Sequence, residues 1–185
     1  MKTRDFSPTN LDVAAFAQDG AALQGEWAAA SLPRLADAAA PDAPARDWPA
    51  VQGSLSGERR EPRGAEAQTW LHLRAQATVR LTCQRCLQAV QEQVDVSRSF
   101  HFVRDEELAA SLDVDSEDDV LAMTRHLDGR ELVEDELLLS LPLVPRHDIC
   151  PQPLPVKAEA EPEIEERPNP FAALAALKAK GGPTQ

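Results

Sequence analysis

The sequence predicts an α+β fold: a small antiparallel β-sheet packed with a few helices, plus an acidic loop and a flexible C-terminal segment. Three observations carry this. Two successive runs between Trp70 and Phe102 alternate apolar and polar residues with period two. Residues 128–142 read as a capped amphipathic helix. The chain has 185 residues and is 43% hydrophobic, but 30 of these are alanine. The larger apolar side chains therefore suffice for about one core, which excludes a large two-domain enzyme.

Along the chain, residues 7–19 read as a short helix. Ser7 is the expected N-cap and Pro8 the first helical residue, Leu11, Ala14, Ala15 and Phe16 form the apolar face, and Gly20 ends it. Residues 28–48, rich in alanine and proline, are expected to be a short helix or irregular. Residues 50–56 read as a strand with Val51, Gly53 and Leu55 on one face, and 58–68 as a long hairpin loop. From Trp70 to Thr82, Leu71, Leu73, Ala75, Ala77, Val79 and Leu81 point one way, while His72, Arg74, Gln76, Thr78 and Arg80 point the other. The second run turns Val90, Val94, Val96, Phe100 and Phe102 inward. Glu92 and Arg98 interrupt that inward set, so an edge or a bulge is expected.

Residues 105–119 are acidic and are expected to be a mobile loop. The helix at 130–141 has Asp128 as N-cap, Glu131 completing a capping box, a stripe of Leu132, Val133, Leu137 and Leu141, and Pro142 as its stop. Residues 151–168 hold five prolines and five glutamates and read as a linker. Asn169, Pro170, Phe171, Leu174, Leu177 and Gly181 mark a last helix over 169–180. The expected organisation is one domain over 1–150, then the linker and this helix.

Charge is divided. The net charge is −12, yet residues 1–104 hold 12 acids and 12 bases, so the C-terminal part carries the whole excess. Residues 105–136 alone contain 13 acids and 2 bases, whereas residues 58–104 hold 8 arginines against 5 acids. An acidic protein is a poor binder of phosphate backbones. A divided one can present a basic face all the same, and the acidic stretch can simply be solvated. No run approaches the roughly 18 apolar residues of a membrane span. The first ten residues have no apolar run behind Lys2 and Arg4, the pattern expected without a secretory signal.

The sharpest chemical feature is C-x-x-C at Cys83 and Cys86, on the turn between the two alternating runs. A second pair, His147 and Cys150, follows the 130–141 helix with the same spacing. Together Cys83, Cys86, His147 and Cys150 form a candidate zinc set, structural because all four positions would be protein ligands. Their alternative reading is as reduced bystanders and a surface histidine. A thiol oxidoreductase is a further reading, but it wants the first cysteine at a helix N-terminus. Arg74 and Arg80 share the outward strand face with Trp70 and His72, and Arg85 sits at the adjoining tip. That set is a candidate RNA platform; the plain alternative is an ordinary solvated strand face. Phosphate-loop, GxSxG and HExxH signatures are absent.

Four segments in order resemble the YceD family of large ribosomal RNA subunit accumulation proteins. They are Leu23-Gln-Gly-Glu-Trp27, Val79-Arg-Leu-Thr-Cys-Gln-Arg-Cys-Leu87, the run from Val133 to His147 containing Leu-Pro-Leu-Val-Pro, and Pro168-Asn-Pro-Phe-Ala-Ala-Leu-Ala-Ala-Leu-Lys178. The resemblance implies a cytoplasmic, non-enzymatic factor for synthesis, processing or stability of 23S ribosomal RNA, and so for large-subunit biogenesis. The expected partners are 23S RNA or its precursor, or large-subunit ribosomal proteins. The alternative is an acidic adaptor that shields a basic ribosomal protein without touching RNA.

Overall fold

A computed structural model describes residues 4–64 and 66–152. The chain divides into two units, Met1–Pro153 and Leu154–Gln185. The helix expected at 169–180, and all but the first two residues of the 151–168 linker, lie outside the described residues.

The architecture is α+β. Five strands lie in sequence order: β1 (Ala22–Trp27), β2 (Val51–Arg60), β3 (Gln68–Thr82), β4 (Ala89–Val103) and β5 (Asp119–Ala122). The first four pair antiparallel, and β5 joins β4 in parallel. The helices are α1 (Val13–Gln18), α2 (Pro33–Asp37), α3 (Glu106–Asp113) and α4 (Gly129–Leu139). The odd residues of β3 and the even residues of β4 supply the inner face, and Leu71, Leu73, Val79, Val96 and Phe100 are buried there. Val13 and Phe16 of α1, Leu35 of α2, and Val133 and Leu137 of α4 pack into the same core.

The β3–β4 hairpin keeps one register from Thr69↔Phe102 to Thr82↔Ala89. The expected bulge is therefore absent. Arg98 does face inward, and a partner accommodates it: its Nε lies 3.3 Å from Oε2 of Glu136 on α4. Glu136 is buried, and this oxygen has no hydrogen bond of good geometry. Burial pushes its carboxyl up, against the pull of Arg98. A raised pKa in the folded state means that stability declines as pH rises from the ordinary carboxylate range through the folded value. Glu136→Gln is therefore expected to flatten that decline and leave stability at pH 7 equal or higher by about 1 kcal/mol, because half-exposed Arg98 can turn to water. Thermal melts of both proteins from pH 4 to 8 check this; a loss of several degrees at pH 7 would refute it.

The N-terminal helix is shorter than expected. Ser7 does not cap it; Asp12 does, accepting from Ala15 N at 3.0 Å. The residues before it are held elsewhere. Leu11 and Leu127 exchange backbone hydrogen bonds of 2.8 and 3.0 Å, and Pro8 O accepts from Gly129 N at 2.7 Å. The start of the chain thus pins the start of α4. Helix α1 then lies on β2 at Gly57, where a Cβ would meet Ala17 backbone atoms at 2.7 Å. Backbone cannot move aside as a side-chain tip can, so Gly57→Ala is expected to cost about 3 kcal/mol. Urea unfolding measures it, and a cost under about 1 kcal/mol would show that α1 is not seated there.

Strand β1 was not among the expected elements. It holds because Gly25 and Gly53 face each other across the β1–β2 ladder and form a floor for the Trp27 ring. A Cβ on Gly25 would lie 2.3 Å from that ring, which accounts for the Gly-x-Trp spacing. Strand β2 runs on to Arg60, so the loop expected over 58–68 is only 61–67. Segment 28–48 is more ordered than its composition suggests, with Leu32, Leu35, Ala43 and Trp48 buried.

The acidic stretch 105–119 is not simply a loop; it contains α3 and reaches β5. Its acids have local uses. Asp105 caps α3 through Leu108 N at 2.9 Å, and Glu106 and Glu107 sit in the first turn, where the helix dipole favours them. Asp128 caps α4 by accepting from Arg130 N and Glu131 N. The stripe of α4 also differs from expectation. Leu132 and Leu141 are only partly buried, while Glu134 is buried and accepts from Leu35 N at 3.0 Å.

Candidate metal centre and the open sheet face

The β3–β4 hairpin must turn within the six residues between Thr82 and Ala89. Cys83 N donates to Gln88 O, and Leu87 N to Cys83 O, both at 2.9 Å. Leu87 adopts a left-handed φ of 62° to close the turn. This knuckle turns both sulfurs inward, where Cys83 and Cys86 are buried. Past α4 and Pro142 the chain returns beneath the hairpin. Gln84 N donates to Pro145 O at 2.9 Å, and His147 and Cys150 arrive opposite the two cysteines.

The ligand atoms of Cys83, Cys86, His147 and Cys150 all lie within 4.8 Å of one another. Cys83 Sγ is 3.9 Å from Cys150 Sγ, and Cys86 Sγ is 3.4 Å from His147 Nδ1. A tetrahedral zinc with sulfur and imidazole ligands needs edges of about 3.5 to 3.8 Å, so these two contacts match it and no pair would have to close by more than about 1 Å. His147 Nε2 lies 3.0 Å from Ala89 O. A carbonyl can only accept, so Nε2 carries the proton and Nδ1 offers its lone pair to the cluster.

The two knuckle thiols differ in their electrostatics. Burial opposes ionisation of Cys83, yet the N–H groups of Cys86, Arg85 and His147 bring its pKa down to about 5. The Gln88 N–H favours the Cys86 thiolate, but burial and the neighbouring sulfurs of Cys150 and Cys83 win, and its pKa is raised. Three thiols this close cannot all ionise unless a metal balances them.

Among the described residues, the outer face of the sheet is covered at one end only. There α3 packs Ala109 against Val103 and Val120. The uncovered part holds a shallow trough of about 820 Å³ lined by residues including Gln24, Gln52, Ser54, Arg74, Gln76 and Ser97, with Glu26 and Asp95 at its wall as well. A second hollow of about 710 Å³ has Arg80, Gln91 and Arg146 on its wall, together with Glu92 and Asp148, beside His147.

The candidate RNA residues separate into two groups. Arg74 and Arg80 are exposed and, with Arg146, enter no ion pair among the described residues. Sequence reading missed Arg146, because it lies outside the strand pattern and only the fold carries it beside Arg80. The other three are engaged. Trp70 is 7% exposed, with the Arg60 guanidinium 4.2 Å above its ring and His101 stacked at 4.8 Å, so the indole has little surface left for a base. His72 bonds Glu58 at 2.8 Å and Ser99 at 2.9 Å. Arg60 and His72 together hold the Glu58 carboxyl at about 2. Arg85 turns back to the Cys3His cluster, with Nε 2.9 Å from Cys150 Sγ.

The family model described as "Large ribosomal RNA subunit accumulation protein YceD" matches residues 71–178, spanning both ligand pairs. The chain belongs to the YceD family. A protein of that name from Haemophilus influenzae is 33% identical over 113 residues, which is 58% of this chain and 64% of the relative's length. The chain thus spans somewhat less than two thirds of that relative. No solved structure matches it. In YceD-family terms the match begins within β3, so the hairpin, α3, α4 and the Cys3His cluster lie inside it, whereas β1 and β2 precede it.

Proposed function

We propose that this chain supports accumulation of large-subunit ribosomal RNA as a binding factor, holding 23S RNA or its precursor on the open sheet face. The family match supplies the process. The observation that carries the mode of action is the placing of Arg74, Arg80 and Arg146. Among the described residues they form no ion pair and stand on one open, polar side, whereas Arg34, Arg59, Arg60, Arg98 and Arg104 are neutralised by acids; Arg63, Arg125 and Arg130 are also without an ion pair but line neither hollow of that side. Free guanidinium groups beside glutamine and serine side chains suit phosphate and ribose contacts.

The Cys3His cluster is read as a structural zinc site. Cys83, Cys86, His147 and Cys150 would hold the ion, and with four protein ligands no position is left for substrate. Bound zinc supplies charge balance and a cross-link between the hairpin and the chain after α4. A thiol oxidoreductase is disfavoured, because Cys83 is fully buried and follows a strand. The reading is of a non-catalytic factor working in the cytoplasm, where nascent ribosomal RNA is found. No described helix is long and apolar enough to cross a membrane.

In-cell ultraviolet crosslinking of the tagged protein, with sequencing of the attached RNA, tests the proposal. Reads concentrated in a defined part of 23S RNA or its precursor are the expected result. A profile equal to an untagged control, with the protein intact and abundant, would overturn direct binding. It would turn attention to the acidic surface around residues 113–119 as a seat for a basic ribosomal protein.

A further inference from the structure

Arg85 lies between the two knuckle cysteines, yet its side chain serves the opposite ligand pair. Its Nε donates to Cys150 Sγ at 2.9 Å. One terminal nitrogen donates to the carbonyls of His147 at 2.8 Å and Asp148 at 3.2 Å. A single guanidinium thus grips both the sulfur and the backbone of the turn that carries two ligands. We propose that Arg85 is the positioning residue of the metal centre, fixing the His147–Cys150 turn and balancing the charge of the loaded site.

The charge argument is simple. Zinc with three thiolates and one neutral imidazole has a net charge of −1. Cys83, Cys86 and Cys150 are all buried, so water balances little of that charge. A guanidinium in hydrogen-bond contact supplies the opposite charge without taking a coordination position. The bond also draws electron density from the Cys150 sulfur, as a charge-assisted N–H···S contact does. Lysine could carry the charge, but it lacks the fork that reaches one sulfur and two carbonyls together. Other cations near the cluster do not substitute. Arg80 and Arg146 line the adjacent hollow, but neither donates to a ligand sulfur among the described contacts.

The inference rests on reading the cluster as a zinc site, and its test separates the two. Zinc content of the full-length wild type, measured by plasma mass spectrometry, comes first; a reduced protein that neither holds nor takes up zinc would sink both. With zinc present, Arg85→Gln is expected to lose it to a chelator about ten- to a hundredfold more readily, and Arg85→Lys to recover only part of that loss. In the cobalt-substituted proteins the tetrahedral d–d bands should persist in both variants, since the ligands are unchanged. The sulfur-to-cobalt charge-transfer band should move to lower energy in Arg85→Gln, where the sulfur loses its hydrogen bond. A merely structural contact would not move that band. Unchanged chelator competition and an unchanged band in Arg85→Gln would overturn the role of Arg85 while leaving the zinc site standing. If Arg85→Gln does not fold, the lysine variant decides alone: zinc retention and a band equal to wild type would equally overturn it.

Discussion

On the zinc reading proposed above, removing the ion from the full chain is expected to lower its melting temperature by about 10 °C and to release residues 143–152 from the hairpin. The magnitude follows from mass action: zinc at a thousand times its dissociation constant stabilises by about 4 kcal/mol, and each kcal/mol is worth about 2–4 °C in a domain of this size. The locality follows from what else holds the segment. Leu143 is fully exposed and Ile149 is 88% exposed, so apolar burial contributes little there. What remains is the Gln84–Pro145 backbone bond, the grip of Arg85, the His147–Ala89 bond and an exposed Gln88–Gln152 side-chain bond of 3.3 Å. Amide exchange at 146–150 should therefore accelerate on chelation while the centre of β3 stays protected. Cys86→Ser should reproduce the effect at any zinc concentration. A melting temperature unmoved by confirmed zinc loss would show that the cluster holds together without metal.

The same site fixes a direction with pH. In the metal-free fold Cys83, near 5, is already a thiolate at neutral pH, whereas Cys86 is raised above the ordinary thiol value and keeps its proton. Zinc must displace at least that proton. Apparent affinity should thus rise with pH between 6 and 8 and weaken steeply as acid reprotonates Cys83 near 5.

The hairpin, α4 and the four residues of the Cys3His cluster are legible in the sequence because each rests on local chemistry. Alternation sets β3 and β4, Asp128 caps α4, and equal two-residue spacings mark the ligand pairs. What is not legible depends on partners far along the chain. Strand β1 hides because Gly25 and Trp27 weaken its pattern, and only the facing Gly53 explains them. Glu134 and Glu136 look like the solvent side of α4. In the fold one accepts from the α2 backbone and the other faces Arg98. Arg85, Trp70 and His72 carry the residue types of an RNA platform, but each is engaged by neighbours that sequence distance conceals. The acids of 105–119 read as a loop, because charge density masks a capped helix.

Arg74→Glu combined with Arg80→Glu is expected to abolish RNA crosslinking while leaving zinc content and melting temperature near wild type. Both side chains are exposed on the outer face and enter no ion pair among the described residues, so the described fold does not depend on them. Binding does, because each phosphate contact releases counterions. For single-stranded RNA, losing two contacts should flatten the plot of log affinity against log salt by about 1.4. Reversing the charge adds repulsion to that loss. Arg104→Glu is the control: its side chain is 78% exposed and paired with Asp105, so it makes half the net-charge change of the double variant on another part of the fold. If Arg104→Glu weakened binding as much per charge as the double variant, the effect would be one of net charge, and no face would be assigned. If only the double variant loses both affinity and salt slope, the contact runs along β3. Arg146→Glu should then deepen the defect, because Arg146 shares a hollow with Arg80. Retained crosslinks in the double variant would place the RNA elsewhere, whatever the family name implies.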